Sequence, residues 1–388
     1  MYVPEKKKQH YVPKFYMKNF ADFNNKVSVY IIKSKETIPN IPFDSQCYKD
    51  NFYGKDHVLE NEFGEREIIW SNIIARIIDN KELSDDDIIQ LKRFALYQRQ
   101  RTEGEFEYHQ AERRELRIKL TNDYYSTKGI STDSTVEKEL SDYANECNEE
   151  FSPIDSVAFA DNQSNIIDDL ECLIITYNTK NKLIFSDVPV ISINQFHKFS
   201  IGYSCVGLIM LYPITPNKLI VIYDSKMYTK YKGRLYINSK NEKEVKTLNI
   251  LQFLSAEKTI YARNSEDFPF FSSENWKQRS LNRDSKKIQS LGVPGNEIIQ
   301  LSMRQTFCDY TFSFGKMNEK ANRIPFVCKE AFPRQYDKKW YEKLLSKIKV
   351  MPLIAEKRPD VFKGLTKKEV RKGCKDMFDF AVEYWRKT

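Results

Sequence analysis

Glycine is scarce, with 12 in 388 residues. Gly-rich loops that cradle phosphates therefore have little material to form from. No Walker loop, G-x-G-x-x-G, G-x-S-x-G, H-E-x-x-H or kinase signature occurs. P-loop nucleotide hydrolysis and Rossmann redox chemistry are not expected, nor is a nucleotide cofactor. Histidine is rarer still, with four. The seven cysteines (Cys47, Cys147, Cys172, Cys205, Cys308, Cys328, Cys374) are odd in number and far apart, with no C-x-x-C pair. Neither a zinc cluster nor a disulfide framework follows from them, and they read as reduced thiols in a reducing compartment. Long apolar runs are missing too. None approaches the roughly 18–20 residues of a membrane span. The charged opening with Lys6, Lys7 and Lys8 is not followed by the apolar stretch of a signal peptide. The expected location is the cytoplasm, with no membrane partner.

Aromatic residues are abundant, with 25 Phe and 23 Tyr, and 41% of the chain is hydrophobic. That is ample for a packed core, in two domains or one large one. Charge is balanced except at one end. Residues 331–388 hold 16 Lys/Arg against 8 Asp/Glu; the totals of 62 and 54 leave 46 of each sign elsewhere, so the whole net charge of +8 lies in that segment. Such a segment suits an anionic partner.

Periodicity predicts a mixed fold. Lys26–Lys33 is a strand candidate. A helix is expected from about Asp56 to Ile78, with Leu59, Phe63, Trp70, Ile73, Ile74 and Ile77 on one side. A second opens after Ser84, whose pairing with Asp87 is a capping signature, and its pattern runs through the charged stretch to about Tyr125. A third is expected over about Val136–Phe151. Glu171–Tyr177 with Lys182–Asn194, and Cys205–Pro213 with Lys218–Asp224, read as β-hairpins. Glu242–Lys258 reads as a helix and Thr259–Arg263 as a strand. Thr366 and Glu369 open a last helix whose apolar face runs from Val370 to Trp385. The expected class is α+β: a helical hairpin plus antiparallel β-hairpins in one sheet, with an α-helical basic C-terminal segment. The expected division is a core over 1–265, an irregular connection over 266–335 and the basic helical segment over 336–388.

Four places carry polar groups where the local pattern expects neutral or apolar ones. His10 stands in Gln9-His10-Tyr11-Val12-Pro13-Lys14-Phe15-Tyr16, suited either to a chain start pinned by aromatic packing or to acid–base work. Glu60 and Glu67 border the apolar stripe of their helix, as solvated charges or as carboxylates able to bind a metal. Gln98 falls inside the stripe of the second helix and needs a hydrogen-bond partner. Glu67 is a candidate for that partner, and Arg101 flanks the same face. Asp187 shares a strand face with Leu183 and Phe185 just before Pro189. It suits either a turn cap or a site residue.

These stretches resemble the domain-of-unknown-function family numbered 4238. The resemblance is carried by Gln9-His10-Tyr11-Val12-Pro13 with Phe15-Tyr16 and Asn19-Phe20. It continues in Phe52-Tyr53 with Glu60 and Glu67, in Gln98 with Arg101-Thr102, and in Ser186-Asp187 with Pro189-Val190. Tyr212-Pro213 with Pro216, and Asn249 with Ala262-Arg263, complete it. It covers about residues 5–265. Val188 departs from the pattern, where a polar residue is usual, as does Glu103, where proline is common. The family name implies no activity, so the resemblance adds a fold unit but no reaction.

Local inconsistency of this kind tends to mark functional sites. The expectation is that the four places converge into a site with His10, Glu60, Glu67, Gln98, Arg101 and Asp187. Glu60, Glu67 and Asp187 would bind Mg²⁺ or Mn²⁺, His10 would move protons and Arg101 would stabilise phosphate charge. The function expected is an intracellular hydrolase that cleaves nucleic-acid phosphodiesters, with a phage-defence or toxin-like role. Residues 331–388, where Trp340, Tyr341, Tyr384 and Trp385 interleave the basic residues, would hold the nucleic acid. The alternative is a non-catalytic module with a buried polar network that binds nucleic acid or a protein partner.

Overall fold

The computed structural model describes residues 8–55, 58–127, 152–162, 164–195, 202–283, 288–293, 296–301 and 309–317, with Lys138, Asp142, Thr306, Glu319, Arg334, Thr366, Lys368, Glu369 and Lys372 singly. The helix expected over 136–151 and most of the basic segment lie outside these residues. Within that segment Thr366 and Glu369 do form the reciprocal cap: Thr366 Oγ1 donates to Glu369 Oε2 at 2.7 Å and accepts from Glu369 N at 3.2 Å.

The elements in chain order begin with β1 (Lys8–His10), α1 (Lys14–Lys18), β2 (Lys26–Ile31), β3 (Glu36–Pro42) and β4 (Tyr48–Asp50). Four helices follow: α2 (Val58–Ile78), α3 (Asp85–Gln100), α4 (Glu103–Thr127) and the shorter α5 (Pro153–Asn162). Next come β5 (Glu171–Tyr177), β6 (Phe185–Ser186), β7 (Ile191–Asn194), β8 (Leu208–Thr215), β9 (Lys218–Tyr223) and β10 (Tyr236–Ser239). The described part closes with α6 (Glu242–Ser255), β11 (Thr259–Ala262), α7 (Ser273–Arg283), β12 (Ile288–Val293) and β13 (Asn296–Leu301).

The chain is an α+β protein whose strands divide among several sheets. The largest has the order β10-β5-β9-β8-β7, antiparallel except for the parallel β10–β5 pair. A second has the order β3-β2-β11-β6. The β8–β9 hairpin forms as its sequence predicts, turning at Pro216-Asn217. The other expected hairpin does not. β5 pairs with β9 and β10, and residues 182–194 break at Pro189 into two short strands in different sheets. Proline has no N–H to give a ladder, so the chain crosses from β11 to β8 there.

The five-stranded sheet is buried on both faces. Side chains alternate along a strand. Cys172, Ile174, Met210, Tyr212, Ile220 and Ile222 join a core with α1, α2 and α3. Leu173, Ile175, Ile209, Leu211, Val221 and Tyr223 join a second core with α6. Phe312 and Phe314 complete that second core, so residues well past 266 pack on the same body. Continuous apolar runs such as 219–223 are what a doubly covered strand requires.

The helices begin where their caps lie. Ser84 Oγ accepts from Asp87 N, and the Asp87 carboxylate accepts from Ser84 N, before α3. Arg76 on α2 also pairs with Asp87, whose carboxyl it holds below the ordinary carboxylate value. Substituting Ser84 with alanine is expected to cost about 1 kcal/mol of stability, read as a lower urea midpoint at unchanged slope. The single helix expected through the charged run breaks instead at Arg101-Thr102. Thr102 Oγ1 donates to Arg99 O and accepts from Glu105 N, which starts α4 afresh. Gly207 (φ 78°) is required for a close turn: its N–H donates to Asp224 Oδ2 and its carbonyl accepts from Tyr228 Oη.

Candidate functional site

Of the residues singled out in the sequence, three groups meet around Arg101. This guanidinium is 2% exposed. Nη1 donates to Glu67 Oε1 at 2.6 Å, Nη2 to the His10 carbonyl at 2.6 Å and Nε to Tyr53 Oη at 3.4 Å. The Phe63 ring lies 4.1 Å beneath it. Burial opposes the charge, but Tyr53 and Glu67 outweigh it and raise the guanidinium further above its ordinary value. Burial pushes the Tyr53 hydroxyl up to about 12 against the pull of Arg101. Gln9, fully buried, accepts from Tyr53 N and donates to Gly54 O.

Arg101 thus ties β1, α2 and the Tyr53 turn to the end of α3. His10 contributes its carbonyl to this knot, while its ring Nε2 donates to the Asp44 carbonyl at 3.0 Å. Burial lowers the pKa of that imidazole, which keeps it neutral with the proton on Nε2. Gln98 does not reach Glu67, because Arg101 holds that carboxylate. Its amide donates to Tyr11 O at 3.0 Å, one residue along the same buried segment. Glu60 sits half-buried two turns before Glu67, close enough for its charge to act on the Tyr53 hydroxyl.

Asp187 is placed elsewhere. It is 3% exposed and spends both oxygens on backbone: Oδ1 accepts from Glu257 N, Oδ2 from Lys258 N and Thr259 N. Burial raises its carboxyl pKa, opposed by those three N–H groups. The side chain fixes the turn from α6 into β11, beside its own strand β6. Substitution by asparagine, which keeps one acceptor oxygen and brings two donors with none to meet, is expected to cost about 1–3 kcal/mol in chemical denaturation. The predicted trio of Glu60, Glu67 and Asp187 is therefore not assembled as a ligand set. Among the described residues no group of three or more His, Cys, Asp or Glu is arranged to hold a metal ion.

A second cluster, absent from the sequence expectations, forms where α3 turns into α4. His109 is one-fifth exposed and sits between two carboxylates. Nδ1 lies 3.2 Å from Glu112 Oε2; Nε2 lies 3.1 Å from Gln100 Oε1 and 3.8 Å from Glu105 Oε1. Glu105 is fully buried, with Arg99 Nε 3.5 Å away, and neither of its oxygens accepts a hydrogen bond among the described residues. Gln100 Nε2 donates to Tyr203 Oη at 3.0 Å, and Ser156 Oγ donates to the Gln100 carbonyl. Arg99 Nη1 donates to Val190 O. Burial opposes the Arg99 charge, but Glu105 raises it above the ordinary value.

The sequence held two signals for this cluster. Thr102-x-x-Glu105 is a capping spacing, and Glu105, His109 and Glu112 recur at four and three residues, on one helical face. Both are hidden if the charged run is taken as a continuation of the helix that opens after Ser84. Chemically the arrangement offers a half-open imidazole oriented on one nitrogen by a carboxylate, with a buried carboxylate–guanidinium pair behind it. That is the composition of a proton-transfer site.

A family model described as "Protein of unknown function (DUF4238)" matches residues 8–266. The match contains both polar clusters. No curated protein and no solved structure matches the chain. Among the described residues no helix is long and apolar enough to cross a membrane.

Proposed function

The chain belongs to the DUF4238 family of proteins of unknown function, and on that footing we propose that it is a hydrolase of nucleic-acid phosphodiesters with His109 as its proton carrier. The observation that carries the reading is the buried carboxylate of Glu105, which is ion-paired with Arg99 but accepts no hydrogen bond among the described residues. A fully buried carboxylate without a hydrogen bond is expensive, and proteins retain such local costs chiefly at functional sites. Here it faces Arg99 and His109. In this reading Glu112 orients the imidazole through Nδ1. Nε2, which faces Gln100 Oε1, would exchange that partner for the reacting oxygen to move the proton, and Glu105 with Arg99 balances the charge that the ring gains and loses. The excess charge of residues 331–388 supports an anionic polymer as substrate. A cytoplasmic setting and a role in phage defence or as a toxin belong to the same proposal. Cys47, Cys172 and Cys205, which form no disulfide among the described residues, suit a reducing compartment.

The test is cleavage of mixed RNA and DNA by the purified protein, with Mg²⁺ or Mn²⁺ and with EDTA, beside His109→Gln and His10→Ala. The reading expects cleavage by the wild type and its loss in His109→Gln. The EDTA arm reports whether Mg²⁺ or Mn²⁺ takes part. Cleavage that survives in His109→Gln and disappears in folded His10→Ala would move the reaction to the Arg101 side of the protein.

A second reading, a non-catalytic module with a buried polar network that binds nucleic acid or protein, is favoured by a different observation. The Arg101 guanidinium and Asp187 are buried, and each joins chain segments far apart in sequence. A stable protein that binds but never cleaves nucleic acid under any of these conditions would select it.

A further inference from the structure

Arg334 stands in the segment that carries the net positive charge, yet its side chain is fully buried in the core domain. The guanidinium has five N–H donors, and all five find acceptors. Nε donates to Asp169 Oδ2 at 3.0 Å. Nη1 donates to the carbonyls of Tyr203 and Cys205, and Nη2 to the Ile166 carbonyl and Asp169 Oδ1. The Arg334 backbone N–H adds a bond to Ser204 O. Three successive carbonyls of the 203–205 turn are thus held by one residue.

That turn carries the hydroxyl that holds Gln100, and the same Gln100 faces His109. We infer that Arg334 is a positioning residue for the His109 site: it clamps the 203–205 turn so that Tyr203 fixes Gln100, and Gln100 fixes the imidazole. The inference deepens the hydrolase reading, since it makes the start of the basic segment part of the construction of the site. A buried guanidinium with every donor filled is rigid, because any rotation leaves a donor unsatisfied in the interior. The backbone from which Tyr203 reaches Gln100 is therefore held in place while Arg334 is seated. Lysine, with three donors on a flexible stem, cannot reproduce the planar fork.

The test uses the full chain labelled at histidine and reads the ring ¹⁵N and ¹H resonances of His109, assigned through His109→Gln. Arg334→Lys and Arg334→Ala are expected to shift the His109 resonances, as Tyr203→Phe does, and to leave those of His10 in place. Free guanidinium is expected to restore the His109 signal in Arg334→Ala. Arg279→Ala serves as the control: Arg279 is a buried guanidinium that caps the Phe253 and Glu257 carbonyls instead, and its loss should leave His109 unmoved. His109 resonances unchanged in folded Arg334→Lys would overturn the inference. So would equal shifts at His10 and His109, which report a general loosening. Should Arg334→Ala fail to fold, Arg334→Lys, which keeps a cation beside Asp169, decides alone. The readout needs no substrate, so the clamp can stand or fall apart from the proposed reaction.

Discussion

Arg101→Ala is expected to lower the unfolding free energy by about 3–5 kcal/mol, the range for breaking a buried ion pair by removing one partner. Three acceptors lose their donor at once: the His10 carbonyl, Glu67 Oε1 and the Tyr53 hydroxyl. The alanine also leaves a void against Phe63, over whose ring the guanidinium lay. One discount applies. The Glu67 side chain is 25% exposed, so water can solvate part of its stranded charge. That places the effect toward the lower end, about 3 kcal/mol, which is still a large share of the 5–15 kcal/mol typical of a domain. Urea unfolding followed by circular dichroism and by tryptophan emission reads the change. Trp70 sits on α2 beside Phe94 of α3 and reports on the packing of those helices. In Glu67→Gln the charge is removed but an acceptor remains, so the cost falls to about 1 kcal/mol. The two substitutions should be strongly non-additive, because they remove the same contact. A loss below about 1 kcal/mol in Arg101→Ala would mean that water enters and replaces the guanidinium, and that the knot is not structural.

What the sequence made legible was local. The apolar stripe of α2, the Ser84–Asp87 cap and the β8–β9 hairpin each follow from residues within a few positions of one another. What it concealed was pairing at a distance. Residues 182–194 carry a strand-like pattern throughout, but Pro189 divides them, and the two halves find partners in different sheets. No pattern within the segment specifies β11 for one half and β8 for the other. The same division governs the polar residues. Gln98 and Arg101 were visible as polar groups in an apolar stripe. Two of their acceptors were not, since the Tyr11 and His10 carbonyls are backbone atoms, and any residue type supplies those. Asp187 likewise bonds only backbone, so its turn-capping placement leaves no mark on residues 257–259. His109 was missed for the opposite reason. It lies in a charged run, where one buried face among many ionisable residues changes the composition very little. The groups that hold its neighbours Arg99 and Gln100, from Val190, Tyr203 and Ser156, come from other parts of the chain.

His109→Gln is expected to lower cleavage by about 10²–10⁴-fold, the usual contribution of a positioned general acid or base, equal to about 3–5 kcal/mol on the barrier. The same change should leave the unfolding free energy within about 1 kcal/mol of wild type. Glutamine keeps polar atoms near both ends of the imidazole, and each hydrogen bond the ring makes contributes only about 0.5–1.5 kcal/mol net. The ring is also one-fifth exposed, so water can take up what glutamine does not. Arg101→Ala has the reverse signature, with stability lost first and activity lost only as the folded fraction falls. Glu112→Gln discriminates further. It leaves His109 in place but weakens the acceptor at Nδ1, so cleavage should fall less than in His109→Gln, with the pH profile displaced. Rates and unfolding curves measured on the same preparations separate the two clusters. If cleavage and stability decline together in His109→Gln, then His109, Glu105 and Arg99 are a buried bridge between α3 and α4. The protein would then belong with the binding reading. If cleavage alone collapses, the Glu105 carboxylate without a hydrogen bond is explained, because its cost in the folded state is retained for the proton it helps His109 to carry.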